Sequence, residues 1–374
     1  MYRTTNLPNT RIHVADALRG IAVAGIILFH AREHFNLYWS ALDLPRAGFG
    51  SWEQPAADAL GFLLSGKMYA IFALLFGLSF FIQSDNQAQR GRDFSLRFAW
   101  RMALLFAIGL INATLYNGDV LTYYALFGLL LIPIGKLSNR WVWLIAAVLF
   151  IQPLELWQYF SGHTLAIRHI EGMDTLYPTL ATGSFAQSAR VSLLYGPLNS
   201  FSWAVANGRG TQTPLMFILG MLAGRYRLFY DEGRNLRIWG ALLLLGALGT
   251  WLVPFQAMRN LATATAIVAA VVLLWYRWPG FRRALHGMTL FGRMSLTNYL
   301  LQSLLGTALF YNWGLGLYRH VDVIYGTLAG MGIVLVQYLF CRLWLRRHTH
   351  GPVEWVWKKL TWIDIPFFDR KIAS

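Results

Sequence analysis

This sequence is short of cysteine, of acid and of strand-like alternation. Its one cysteine, Cys341, lies inside an apolar run, which excludes a disulfide framework and any cysteine-based zinc site. Charged residues fill 13% of 374 positions, about half the usual share of a soluble chain, and too few for the water-facing surface that two soluble domains would need. Acids are the scarcest, with Asp+Glu 17 against Lys+Arg 32 and a net charge of +15. Period-two alternation is lacking in the long apolar segments, which excludes a β-barrel. No small-residue cleavage site follows the first apolar run, which carries Asp16 and Arg19, so that run reads as a retained first helix.

What is present points to a membrane. Hydrophobic residues make up 56%, aromatics 16%, and Gly numbers 34, a composition that suits helix packing and interfacial aromatic belts. A spanning helix needs about 20 mostly apolar residues. Ten segments qualify: 12–33, 56–83, 96–116, 119–136, 140–160, 213–230, 237–257, 260–277, 288–313 and 322–345. The reading is an all-α polytopic protein, one integral membrane domain over 1–374, with an external loop at 161–212 and a cytoplasmic tail at 346–374. Residues 190–206 in that loop form either an interfacial helix or an eleventh span.

The basic residues orient these spans. With the N-terminus in the cytoplasm, 22 of the 32 Lys and Arg fall on the inner side and seven on the outer, as the positive-inside rule requires of an even number of spans with both termini cytoplasmic. Basic residues interleaved with apolar runs also argue against nucleic acid as a partner. Three cations, Arg19, Lys67 and Arg293, sit within or at the edge of spans, and orientation does not explain them.

An ionisable side chain inside a span costs roughly 2.5–3.5 kcal/mol on insertion scales and usually marks a polar cavity. In the first helix, positions 16, 20, 23, 27, 30 and 34 share one stripe, with Asp16 near the inner end and His30 and His34 near the outer. Asp16 and Arg19, three apart, are either a structural ion pair or part of a site. His30 is either bonded to a neighbouring helix or a proton acceptor. Lys67 faces the bundle, paired with a carboxylate or an anion. Asn117-Gly118-Asp119, followed by Tyr123 and Tyr124, is a tight external turn that sets a carboxylate at the level of His30, where Asp119 or Glu33 could orient the ring. Ser295, Asn298 and Gln302 fall on one face of the ninth segment, either as interhelical glue or as a cavity wall. His30-Ala-Arg-Glu33-His34 is a literal H-x-x-E-H, the minor alternative of a zinc hydrolase; without an evident third ligand, no metal is expected.

Several segments, in order, resemble the YeiB-like family, also called domain of unknown function 418. They are Asp16-Ala-Leu-Arg19-Gly20, Gly66-Lys67-Met-Tyr-Ala-Ile-Phe through Gly77, Gly118-Asp119-Val-Leu, Gly292-Arg293-Met-Ser-Leu-Thr-Asn-Tyr-Leu-Leu-Gln-Ser303, and Gly351-Pro-Val-Glu-Trp355. The resemblance spans nearly the whole chain and groups it with membrane acyltransferases. These include the lysosomal heparan-glucosaminide acetyltransferase and bacterial enzymes that O-acetylate surface sugars. It implies a cytoplasmic acyl-CoA donor, such as acetyl-CoA, and an extracytoplasmic acceptor: a sugar, a lipid-linked molecule or a small molecule. It also implies a bacterial inner-membrane location and a histidine near the outer end of the first helix. The heparan enzyme has its reactive histidine slightly further along, which keeps His34 beside His30.

The expected catalytic set is therefore His30, His34, Asp119 and Lys67. The expected binding set is Asp16, Arg19, Arg97, Arg101, Asn117, Tyr123, Arg293, Asn298 and Gln302. A transporter or flippase for a small or lipid-linked solute is the alternative that ten spans also suit. Small residues at 326–332 pack helices either within one protomer or between two, as in a homo-oligomer. Replacing His30 or His34 by Ala is expected to abolish acyl transfer with folding and donor binding intact. Full activity of both single variants in reconstituted membranes would overturn the histidine mechanism.

Overall fold

Apolar stretches of this length satisfy their backbone polar groups within a bilayer only as helices, and helices are what the chain forms. The computed structural model describes residues 11–35, 53–163, 165, 171–230, 235–253, 255–321 and 323–364, without the side chains of Glu33, His34, Glu53, Gln54 and Val323. No β-strand forms among the described residues. Ten of the helices frame the cavities and the tail: α1 (His13–Phe29), α2 (Lys67–Ala88), α3 (Ser95–Ala113), α4 (Leu121–Gly128), α5 (Phe185–Ala206), α6 (Arg209–Arg225), α7 (His286–Arg293), α8 (Ser295–Phe310), α9 (Val323–Trp344) and α10 (Pro352–Thr361).

Six described helical segments are long and apolar enough to cross a membrane: His13–Arg32, Pro55–Ala88, Ser95–Ala113, Asn139–Ser161, Gln256–Arg277 and Ile324–Trp344. Each matches one of the ten segments expected from sequence. The other four are shorter or divided. The 119–136 segment breaks after Gly128, with Pro133 in the short helix beyond. The 288–313 segment breaks at Met294, whose φ of −112° and ψ of 31° separate α7 from α8. The 213–230 segment is the 17-residue α6, and 237–257 is the 17-residue helix Leu236–Leu252. The stretch read as an external loop contains α5, 22 residues long and opened by a Ser184/Gln187 capping box, in which each side chain satisfies an orphan backbone donor. Gly196 of α5 rests on the Asn117 backbone.

Glycine sets the central crossings. A Cβ at Gly292 of α7 would overlap the Asp16 carbonyl, and one at Gly20 of α1 would overlap the Met288 carbonyl, so α1 and α7 meet backbone to backbone. Gly77 of α2 and Gly220 of α6 play the same part, against the backbones of Phe217 and Leu74. Close approach through small residues is how helices associate where no hydrophobic force separates protein from lipid.

The tail is tied down by polar contacts to α8 and α3. Glu354 of α10 accepts from Leu296 N at 2.7 Å and Thr297 N at 3.0 Å, and the Thr297 hydroxyl also donates to it. It therefore caps α8, whose own N-cap residue offers no side-chain bond, from outside that helix. Burial pushes the Glu354 carboxyl above its ordinary pKa, and the bonds from Thr297 and Leu296 pull it back. On α3, Arg97 donates to the carbonyls of Thr361 (2.9 Å) and Ile363 (3.3 Å), and Trp100 Nε1 to that of Leu360 (3.0 Å). Glu354→Ala should cost about 1–2 kcal/mol, the usual loss for a helix cap. It should lower Tm and speed proteolysis between residues 345 and 364. Glu354→Gln, which keeps an acceptor, should lose less; equal proteolysis of all three proteins would show that the cap does not hold the tail.

Candidate functional site

Arg19 and His30 are eleven residues apart on one helical path, about 16 Å at 1.5 Å per residue, and each opens onto its own cavity. At His30 the helix widens into a π-turn, His30–His34, a local feature that recurs at functional sites.

The His30 cavity has a volume of about 370 Å³. His30, Asn117, Tyr123, Tyr177 and Arg209 supply its polar lining, with Ser65, Gly66, Tyr69 and Trp203 beside them. His30 is 5% exposed, and its Nδ1 lies 3.1 Å from Gln302 Oε1 on α8. With the amide oxygen toward the ring, as placed here, Nδ1 is the donor and Nε2 is left as the proton acceptor. The rings of Tyr116 (5.0 Å), Phe35 (5.8 Å) and Tyr299 (6.4 Å) fix the imidazole plane. Gln302 Nε2 is a buried donor with no partner among the described residues. Asn117 Oδ1 accepts from the Tyr311 hydroxyl at 3.0 Å, and Asn117 O accepts from Ser200 Oγ at 3.0 Å, which fixes this turn against α5 and the end of α8.

The Arg19 cavity measures about 390 Å³. Arg19 bonds Asp16 at 3.1 Å and Ser79 Oγ at 3.0 Å, and Asp16 also holds Arg11 at 2.8 Å. Arg101, His350, Glu354 and Lys358 add charge and polarity to the wall, and Trp357 and Trp362 add flat apolar faces. The Arg101 guanidinium lies 3.5 Å from the Trp357 ring centroid, a cation–π contact. Burial, followed by the like charges of Lys358, Arg293 and Arg11, holds His350 below its ordinary pKa.

One aromatic layer parts the two cavities. Tyr69 and Tyr123 face the first, and Phe72 and Tyr124 the second. The Tyr124 hydroxyl donates to Tyr69 O at 3.2 Å, and the Tyr69 and Tyr124 rings meet edge to face at 5.1 Å. Neighbours in the chain thus line opposite cavities.

Several expected residues fall elsewhere. Asp119 is fully buried and lines neither cavity; it accepts from Asn112 Nδ2 at 2.8 Å and Thr122 N at 3.1 Å, so it caps α4, and the residue that holds His30 is Gln302. Lys67 is 2% exposed and lies behind the cavity wall, its Nζ 5.0 Å from the Phe62 ring centroid. Asn298 donates to Phe291 O at 3.0 Å and lies 3.3 Å from Cys341 Sγ, which makes it interhelical glue. Of its stripe-mates, Ser295 lines the Arg19 cavity and Gln302 reaches His30. Arg97 stacks 4.8 Å from the Trp362 ring centroid and is engaged by tail carbonyls. Arg293 donates to Thr349 O at 3.0 Å and is not in the cavity wall. The side chains of His34 and Glu33, and with them the H-x-x-E-H reading, lie outside the described residues.

Sequence reasoning missed Arg209, Tyr69 and the α10 residues Glu354 and Trp357. A signal for Arg209 existed: Gly208-Arg209 repeats Gly66-Lys67 as a glycine followed by a cation at a helix start.

Comparisons with known proteins agree with the sequence motifs. Residues 235–364 match the family model described as protein of unknown function (DUF418), a stretch that contains α7, α8, α9 and α10. The protein YxaH of Bacillus subtilis is 31% identical, with 96% of each chain covered. A 39.9 kDa protein from the amylase 3′ region of Bacillus acidopullulyticus is 26% identical over 94% of each chain. YeiB of Escherichia coli K12 is 26% identical over 92% of this chain and 95% of its own. Nearly full coverage on both sides, together with the family model, shows that the chain belongs to the YeiB-like DUF418 family of helical membrane proteins.

Proposed function

We propose that this protein is an acyltransferase that moves an acyl group, acetyl by preference, from acyl-CoA in the cytoplasm to a hydroxyl or amine at the extracytoplasmic face of the bacterial inner membrane. The observation that carries the reading is the pair of cavities at opposite ends of α1, one cationic and aromatic, the other holding His30, with a single layer of side chains between them. The topology that goes with it has about ten spans and both termini inside; helices such as α6, α8 and Leu236–Leu252 cross with the six longer ones. The Arg19 cavity then opens to the cytoplasm.

There, Arg19, Arg101 and Lys358 would meet the donor's phosphates, for which a planar guanidinium is well matched, and Trp357 or Trp362 offers the adenine a stacking face. The thioester arm passes between Phe72, Tyr124 and Tyr69, which requires one ring of the layer to turn. In the other cavity His30 Nε2 takes the proton of the acceptor as its oxygen or nitrogen bonds the acyl carbon. The carbon–sulfur bond then breaks, and the thiolate leaves with the proton from His30. Asn117 and Gln302 Nε2 are neutral donors near the oxyanion. Transfer through an acyl-histidine would use the same nitrogen. Lys67 acts from behind the wall by its field.

Purified protein should bind acetyl-CoA by calorimetry, and Arg19→Gln should weaken that binding at least about tenfold, the value of one charge-assisted phosphate contact. Gln302→Leu should leave binding unchanged while transfer of radiolabelled acetyl to acceptors in membrane vesicles falls by about 100-fold, within the range of one acid–base contribution. No acetyl-CoA binding, with uptake or export of a labelled solute instead, would decide for a transporter built on the same two cavities.

A further inference from the structure

The His30 cavity carries more positive charge than a general base needs. Arg209 lines it, 6% exposed, and no carboxylate pairs with it among the described residues. Its partners are Gln212, to which it donates, and the rings of Tyr69 (5.2 Å) and Trp203 (5.9 Å). Lys67 stands behind the same wall, 2% exposed and also without an ion pair among the described residues; the charges that face it are the like charges of Arg209 and Arg259. Of the carboxylates nearby, Glu155 accepts from the Thr211 hydroxyl at 2.8 Å beside Gly208 at the start of α6, without an ion pair to Arg209, and Asp119 is engaged by Asn112 and Thr122.

Backbone geometry concentrates this charge on one spot. Gly66 and Gly208, both left-handed with φ of 75° and 76°, precede Lys67 and Arg209 and serve as N-caps of α2 and α6, and neither helix start has a side-chain cap. The two starts lie at the same end of a parallel pair, as the contacts of Tyr69 with Thr213 and of Phe76 with Phe217 require. A Cβ at Gly66 would stand 2.6 Å from Arg209 Nη2 and would overlap the Asn260 amide. Glycine there lets the guanidinium lie directly over the first turn of α2. Two helix starts and two buried cations thus converge on one cavity, with the carboxylate of Glu155 beside the start of α6 but no ion pair to either cation among the described residues, an arrangement that a bound anion would stabilise.

We infer that the His30 cavity binds an anionic group, a phosphate or phosphate ester, with Arg209 in direct contact and Lys67 adding long-range attraction. This deepens the acyl-transfer reading and rests on it for one point, that the anion is part of the acceptor. The acceptor is then a phosphorylated molecule, its anion on Arg209 and its hydroxyl at His30. The phosphate reaches the cavity either on a water-soluble ester or on a lipid carrier, and the chemistry of recognition is shared.

The test uses the full chain in phosphatidylcholine nanodiscs at low salt, read by intrinsic tryptophan fluorescence during heating. One arm titrates inorganic phosphate and glucose 1-phosphate against neutral glucose; the other compares nanodiscs with and without undecaprenyl phosphate. A saturable rise in Tm with the soluble phosphates identifies a soluble ester, and a rise confined to the lipid arm identifies a lipid-borne one. In either case Arg209→Gln should raise the half-saturating concentration by about 10- to 100-fold, Arg209→Lys should recover part of the loss, and Lys67→Met should weaken binding less than Arg209→Gln. No response in either arm, or an equal response in Arg209→Gln and wild type, overturns the inference. Acetyl-CoA binding, measured on the same samples, separates the two claims. Donor binding without an anion response removes the anionic acceptor and leaves acyl transfer; an anion response without donor binding does the reverse.

Discussion

The contact on which the rest depends is the crossing of α1 and α7 at Gly20 and Gly292. Because the backbones touch there, the start of α8 is fixed beside Arg19, and Ser295 enters the wall of the Arg19 cavity. From that point α8 rises parallel to α1. Gln302, seven residues beyond Ser295, climbs about 10 Å and meets His30 at 3.1 Å. Larger residues at either glycine would push the helices apart, and the height at which an amide meets the imidazole would no longer be set. Glu354 secures the same register from the other side by capping α8. The distance from the tail to the histidine is thus governed by a chain of short polar contacts and one close crossing.

A second consequence concerns charge. Buried cations in a bilayer protein are tolerated when paired, stacked on aromatic rings or matched by a ligand, and this protein uses each solution at a different place. Arg19 is paired with Asp16, Arg101 stacks on Trp357, and Arg97 is satisfied by tail carbonyls. Among the described residues, Arg209 and Lys67 have ring contacts and, for Arg209, one amide, but no ion pair. The contrast between the two ends of α1 is therefore chemical as well as geometric: one end has flat faces beside its cations, the other has a histidine and cations in excess.

Much of this is legible in the sequence where a local rule suffices. The stripe through Asp16, Arg19 and His30 follows from helical period alone, and six of the expected spans coincide with long apolar helices. The stripe of Ser295, Asn298 and Gln302 is visible, but its division is not, because only the neighbours of each turn decide between the cavity, Cys341 and His30. The level of Asp119 in the membrane suggests a partner for His30; capping of α4 is a shorter-range demand and takes the carboxylate first. Arg209 falls among the outer-loop charges in sequence, since a cation at a helix start looks the same there whether it meets water or a cavity. Residues 190–206 read as an interfacial helix or an eleventh span; α5 begins earlier, at Phe185, and runs through Gly196 and Pro197, because the missing donor of a proline is tolerated where a neighbouring chain packs closely.

The central claim, that one end of α1 receives the donor and the other performs the chemistry, is tested most directly by a structure of the protein determined with acetyl-CoA. The account predicts nucleotide density against Arg19, Arg101 and the Trp357 ring, with the thioester directed at the layer of Tyr69 and Tyr124 toward His30. Nucleotide density in the His30 cavity, or a thioester directed away from that layer, would contradict it.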